Sequence, residues 1–70
     1  MDDKLKEIIY SVIDDDSVEL TEDMEFVDDL GLSSMEFFNL INLIENSYGI
    51  KISDREIQEL ETIADIIELI

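Results

Sequence analysis

Seventy residues hold twenty acids, four bases, no cysteine and no histidine. That composition allows one small domain, residues 1–70, and excludes disulfide staples, thiolate or imidazole metal sites and a histidine base. A formal net charge of −16 disfavours nucleic acid, whose phosphates demand cations. It favours partners with basic patches, found by electrostatic steering. Because 46% of the residues are hydrophobic and periodically spaced, the charge does not signal disorder. No apolar run is long enough to span a bilayer, and no signal-peptide pattern opens the chain. A cytoplasmic monomer is the expectation.

Residues 2–14 read as a helix. Leu5, Ile8, Ile9, Val12 and Ile13 fall at i, i+3, i+4, i+7 and i+8, which makes one apolar stripe. Asp2 and Asp3 stand where the helix dipole favours acids. Asp14, Asp15 and Asp16 then stop the stripe, since aspartates are poor helix formers and adjacent ones repel one another.

Residues 15–32 form a connection unusually long for so small a domain, a length usually reserved for function. It contains no base. Its apolar residues, Val18, Leu20, Met24, Phe26, Val27, Leu30 and Leu32, predict that it packs across the helices. Thr21 or Asp23 is placed to start a short turn near Met24.

The next helix is predicted over residues 34–48, and its start divides two adjacent serines. Ser33 and Glu36 have capping-box spacing: the Ser33 hydroxyl accepts from the Glu36 amide, and the Glu36 carboxylate accepts from the Ser33 amide. With Ser34 as cap, the third helical residue would be Phe37, which cannot close the box. Ser33 is therefore structural. Ser34 becomes the first helical residue, its hydroxyl free at a helix N-terminus where a phosphate is favoured. Gly31 lets the chain bend just before.

Along this helix Phe37, Leu40, Ile41, Ile44 and Tyr48 form the inward stripe, with Leu43 on its flank. Asn39, Asn42, Glu45 and Asn46 take the other side, and Gly49 provides the stop. Met35 and Phe38 lie near the stripe's edge. Two readings stay open for them: ordinary core side chains, or an apolar patch beside Ser34 used by partners.

Ile50, Lys51 and Ile52 read as a short extended link. Ser53 with Glu56 repeats the capping-box spacing and opens a short helix to about Glu59, with Ile57 and Leu60 inward. Thr62 with Asp65 starts the last helix, whose stripe is Ile63, Ile66, Ile67 and Ile70. The sum is an all-α chain: a small four-helix bundle, three longer helices plus one short, with a long first loop.

Little catalysis is available to these residues. A serine nucleophile needs a base beside it, and Lys4, Lys6, Lys51 and Arg55 all lie far from Ser34 in sequence. No catalytic residue and no enzyme activity are assigned. Asp14 and Asp16 start like a calcium loop, but Val18 and Glu19 fall where an oxygen ligand and a glycine are required, so no metal residue is assigned.

Asp29-Leu30-Gly31-Leu32-Ser33-Ser34-Met35 resembles the attachment motif of the acyl and peptidyl carrier proteins, Asp-Leu-Gly, a variable residue, a polar residue, then Ser and Leu or Met. Phe26 to Gly31, Ile44-Glu45 to Ile50, and Thr62 to Ile67 resemble the family's approach to the motif, second-helix exit and last-helix start. The resemblance implies a carrier whose Ser34 a phosphopantetheinyl transferase converts to a covalent 4′-phosphopantetheine ester, cargo riding as a thioester on its thiol. It implies acyl- or aminoacyl-loading and transfer enzymes with basic docking patches as partners, meeting a surface of Met35, Glu36, Phe38, Asn42 and Glu45. Two departures stand out: Ser33 replaces a frequent Asp, and the second helix carries only Glu36 and Glu45 as charges. They point away from housekeeping fatty-acid synthesis, toward a polyketide, nonribosomal-peptide or D-alanyl-type pathway. The competing readings are an unmodified acidic helical interaction module and an acidic divalent-ion binder.

Overall fold

Each predicted apolar stripe becomes a helix, and a side chain caps the start of each. In the computed structural model, which describes residues 1–70, the helices are α1 (Asp3–Ile13), α2 (Ser34–Tyr48), α3 (Asp54–Glu59) and α4 (Ile63–Leu69). Asp2 caps α1 by accepting from the Leu5 amide. Ser33, Ser53 and Thr62 each close a capping box, with Glu36, Glu56 and Asp65 respectively. The last helix, expected among the longer ones, spans seven residues, one more than α3.

Both long helices end in left-handed backbone. Gly49 (φ +66°) terminates α2 at no steric cost, whereas α1 ends on Asp14 (φ +54°), one of the few side chains that tolerate that region. The start of α1 is fastened to the end of α2, so the two run antiparallel. The Tyr48 hydroxyl donates to the Asp2 carboxylate (2.9 Å). Lys4 donates to the Ser47 carbonyl and lies 4.4 Å over the Tyr48 ring.

Eleven apolar side chains form the core: Leu5 and Ile9 of α1, Leu40, Ile41 and Ile44 of α2, Ile63 and Ile66 of α4, Ile52 of the link, and Leu20, Phe26 and Leu32 of the long loop. Fully burying each such side chain contributes roughly 1.5–3 kcal/mol. Three of the eleven come from residues 15–32, so the loop is part of the core. Ile57 and Leu60 pack against it from α3 and its exit. Ile70, expected on the inward stripe of α4, is exposed at the end of the chain.

Backbone pairing also holds the loop down. The Phe26 amide donates to the Glu61 carbonyl (3.0 Å), Ile63 to Met24 (3.1 Å) and Ala64 to Glu22 (2.9 Å). Glu25 and Thr62 thereby form an isolated antiparallel bridge. The loop is stapled to the junction of α3 and α4. The expected turn near Met24 is present, with the Met24 amide donating to the Thr21 carbonyl (3.2 Å).

Candidate functional site

The approach to Ser34 is built around one acid. The Asp29 carboxylate accepts from the Glu25 amide (2.7 Å), closing the turn of residues 25–29. Amides of Asp29 and Leu30 return to the Glu25 carbonyl, and Leu32 returns to Phe26 (3.0 Å). Buried Phe26 and Leu32 anchor the two ends of this turn in the core. Gly31, at φ +69°, redirects the chain toward α2, and a Cβ placed there would meet nothing within 4 Å.

Ser33 and Ser34 divide as their spacing predicts. The Glu36 amide donates to the Ser33 hydroxyl (3.2 Å), and the Ser33 amide donates to the Glu36 carboxylate (3.0 Å). The Ser33 amide, and after it the Ser33 hydroxyl, hold the Glu36 carboxyl below its usual range. Ser34 is exposed, and its hydroxyl has no partner within the chain. The amides of Ser34 and Met35 find no backbone acceptor either. A free hydroxyl, two free amides and the positive end of a fifteen-residue helix dipole meet at one point. That arrangement suits a phosphodiester on Ser34 Oγ, which would place its negative charge against the amides.

The two readings of Met35 and Phe38 resolve toward the surface: Met35 is 82% exposed and Phe38 52%. Phe37 turns inward beside them, with its ring 5.5 Å from that of Phe26 and 6.3 Å from that of Phe38. Asn42 is exposed on the same side as Met35 and Phe38. Glu45 is not free for a partner in the same way. It is half-buried, and its carboxylate accepts from the Ile52 amide (2.7 Å), tying the link to α2.

Sequence reasoning missed a cleft of about 120 Å³ beside this region. Phe26, Val27, Phe37 and Leu60 supply its apolar lining; Glu25, Asp28 and Glu61 supply its acids. Asp28, foremost among its acidic neighbours, pushes the Glu25 carboxyl above its usual range, and Asp29 and Glu61 add to the effect. The backbone bridge that brings Glu61 to Glu25 has no side-chain signature, so no pattern of residues could have shown it.

The acids of residues 14–29 do not converge on a cation. Asp14 caps α1, Asp15 accepts from the amide and hydroxyl of Ser17, and Asp23 accepts from the Thr21 hydroxyl. No group of three or more acids in the structure has the geometry to hold a metal ion. No helix is long and apolar enough to cross a membrane.

With the site in view, three comparisons bear on it. Residues 3–70 match the family model described as "Phosphopantetheine attachment site". Among curated proteins, an acyl carrier protein of Solidesulfovibrio magneticus is 38% identical over 68 residues, 97% of this chain and 87% of the relative. Among solved structures, a protein of Mycobacterium tuberculosis assigned as an acyl carrier protein superposes with a TM-score of 0.88 at 31% identity. That match covers 93% of this chain and 86% of the other.

Proposed function

Because the chain belongs to the phosphopantetheine-binding acyl carrier family, we propose that Ser34 is its attachment residue and that it serves one dedicated biosynthetic pathway. Members of this family are carriers and not catalysts, and they carry 4′-phosphopantetheine covalently. When bound, that group supplies a thiol on a flexible arm, which this chain, lacking cysteine, does not itself possess. The phosphopantetheinyl transferase and acyl-handling enzymes act on such carriers.

The observation that carries the choice of Ser34 is the division of labour at the head of α2. Ser33 is occupied by the capping box, while Ser34 is exposed and without a partner. The chain's own contribution is positional. The helix N-terminus and the amides of Ser34 and Met35 stabilise a phosphodiester, and Ser33 with Glu36 keeps that terminus rigid.

A specialised pathway of the polyketide, nonribosomal-peptide or D-alanyl type is favoured over fatty-acid synthesis by the lack of exposed acids along α2 beyond Glu36. A cytoplasmic monomer completes the reading, with the −16 charge favouring separation of copies. Coexpression with a broad-specificity phosphopantetheinyl transferase, followed by intact mass measurement, tests the assignment. The expected result is a gain of one phosphopantetheine by the wild type and by Ser33→Ala, and none by Ser34→Ala. An unchanged wild-type mass, or a gain that survives Ser34→Ala, overturns it.

A further inference from the structure

The turn ahead of Ser34 leaves no amide loose. Asp29 and Leu30 donate to the Glu25 carbonyl (3.0 and 3.1 Å), Gly31 donates to Val27 (3.0 Å) and Leu32 to Phe26 (3.0 Å). The Ser33 amide then donates to the Glu36 carboxylate (3.0 Å). Residues 25–27 therefore receive every amide from 29 to 32 and act as a mount for the head of α2. Phe26 is fixed by burial of its ring and by its amide on the Glu61 carbonyl (3.0 Å). The Glu25 amide depends on one side chain, the Asp29 carboxylate, which accepts from it at 2.7 Å. Asp29 is exposed and adds nothing to the core. Its charge works against the fold, since Asp28 foremost, with Asp29 contributing, pushes the Glu25 carboxyl up. One group thus holds the backbone of Glu25 and opposes its side chain.

We propose that Asp29 is a positioning residue for the modification of Ser34, acting as a hydrogen-bond acceptor and not as a charge. The inference rests on the assignment of Ser34 above. In the transfer, the Ser34 hydroxyl oxygen forms a bond to a phosphorus of coenzyme A. The phosphoanhydride bond to that phosphorus breaks, and the adenosine bisphosphate leaves with its electron pair. The hydroxyl proton passes to a base of the transferase. Such a displacement needs the attacking oxygen in line with the leaving group. A misplacement of about 1 Å costs on the order of a hundredfold. Ser34 has no side-chain partner in the chain, so its hydroxyl stands wherever the head of α2 stands. That head is not locked by the core. The first buried residue of α2 is Leu40, and before it only half-buried Phe37 reaches inward, against Phe26. The capping box orders the head within itself, and the turn sets where the head lies. Asp29 closes that turn at Glu25.

The test is a steady-state assay with the phosphopantetheinyl transferase of the organism that makes this chain, coenzyme A as donor and product followed by mass. Asp29→Ala removes both the hydrogen bond and the charge. Asp29→Asn removes the charge and keeps an acceptor oxygen for the Glu25 amide. Asp28→Ala removes an equal charge one position earlier. Asp29→Ala is expected to lower kcat about tenfold or more with little change in KM, the mark of a misplaced nucleophile. Asp29→Asn and Asp28→Ala are expected to keep kcat within about twofold of wild type. Hydrogen exchange of the Glu25 amide reads the same contact without the transferase: faster in Asp29→Ala, unchanged in Asp29→Asn. Circular dichroism at the assay temperature verifies that the variants fold. Asp29→Ala with the kcat of wild type, or with wild-type exchange at Glu25, overturns the inference while Ser34 stays assigned. Asp29→Asn as slow as Asp29→Ala overturns it too, because the charge would then be what the transferase needs. So does a loss confined to KM, which would make Asp29 a contact of the transferase. A wild type left unmodified overturns the assignment and the inference together.

Discussion

Ser33 and Ser34 carry the same side chain one position apart, and helix geometry alone gives them different surroundings. The Ser33 hydroxyl is consumed by the Glu36 amide (3.2 Å), and nothing in the chain engages the Ser34 hydroxyl. Removing the first should therefore cost stability and leave modification in place. Ser33→Ala is expected to destabilise by about 1 kcal/mol, the usual cost of a lost cap, measured by urea denaturation. A Ser33→Ala protein as stable as wild type would show that the box contributes nothing. This division was legible in the sequence because capping depends on a three-residue spacing that only one of the two serines satisfies. The role of Glu45 was not legible. Its partner is the backbone amide of Ile52, seven positions on, and amides are the same at every residue.

At the level of elements, the helices were readable because period and caps agree. Leu5 with Ile9, and Leu40, Ile41 and Ile44, are buried on the stripes that spacing predicts. The long loop was readable only in part. Its apolar residues predicted packing, and Leu20, Phe26 and Leu32 are buried, yet Val27 is 65% exposed. Without a period, nothing in the sequence separates Phe26 from Val27. The loop and α4 also depend on each other through the bridge between Glu25 and Thr62, with Ile63 directly after it and fully buried. Ile63→Ala is accordingly expected to cost about 2–5 kcal/mol, the range for large-to-small core changes. Set against the roughly 5–15 kcal/mol typical of whole domains, that loss should lower the melting temperature steeply and free the loop to exchange its amides. Hydrogen exchange of the Phe26 and Ala64 amides measures it. Protection unchanged from wild type would mean that the loop holds without α4.

For the whole molecule, charge sets the conditions of stability. One side-chain ion pair, Arg55 with Glu59 at 3.8 Å, lies largely in solvent, so most of the −16 is unpaired repulsion. Two classes of carboxylate respond to acid in opposite directions. Asp2, Asp15, Glu36, Glu56 and Asp65 are all held low by hydrogen bonds, from Leu5 for Asp2, Ser17 for Asp15, Ser33 for Glu36, Ser53 for Glu56 and Glu61 for Asp65. Their folded values lie below their unfolded ones. The stability they contribute is complete above the unfolded values, roughly pH 4, and is lost as pH falls through the folded values. Glu25 behaves in reverse. Asp28, then Asp29 and Glu61, raise its folded value, so the folded chain takes up a proton there more readily than the unfolded one. Stability consequently rises as pH falls through that raised value, and the gain is complete below the unfolded one. General repulsion also weakens as carboxylates protonate. At low ionic strength the melting temperature should therefore climb from pH 7 to a maximum just above the ordinary carboxylate range, then drop as the capping acids protonate. Raising salt to about 0.15 M at pH 7, where the screening length is about 8 Å, should recover part of the same gain. Glu25→Gln separates the local contribution from the general one. It should melt higher than wild type at pH 7 and gain less on acidification, because the group that Asp28, Asp29 and Glu61 oppose is already neutral. Thermal melts of both proteins across pH check this, and a wild-type melting temperature that falls steadily from pH 7 downward would refute it.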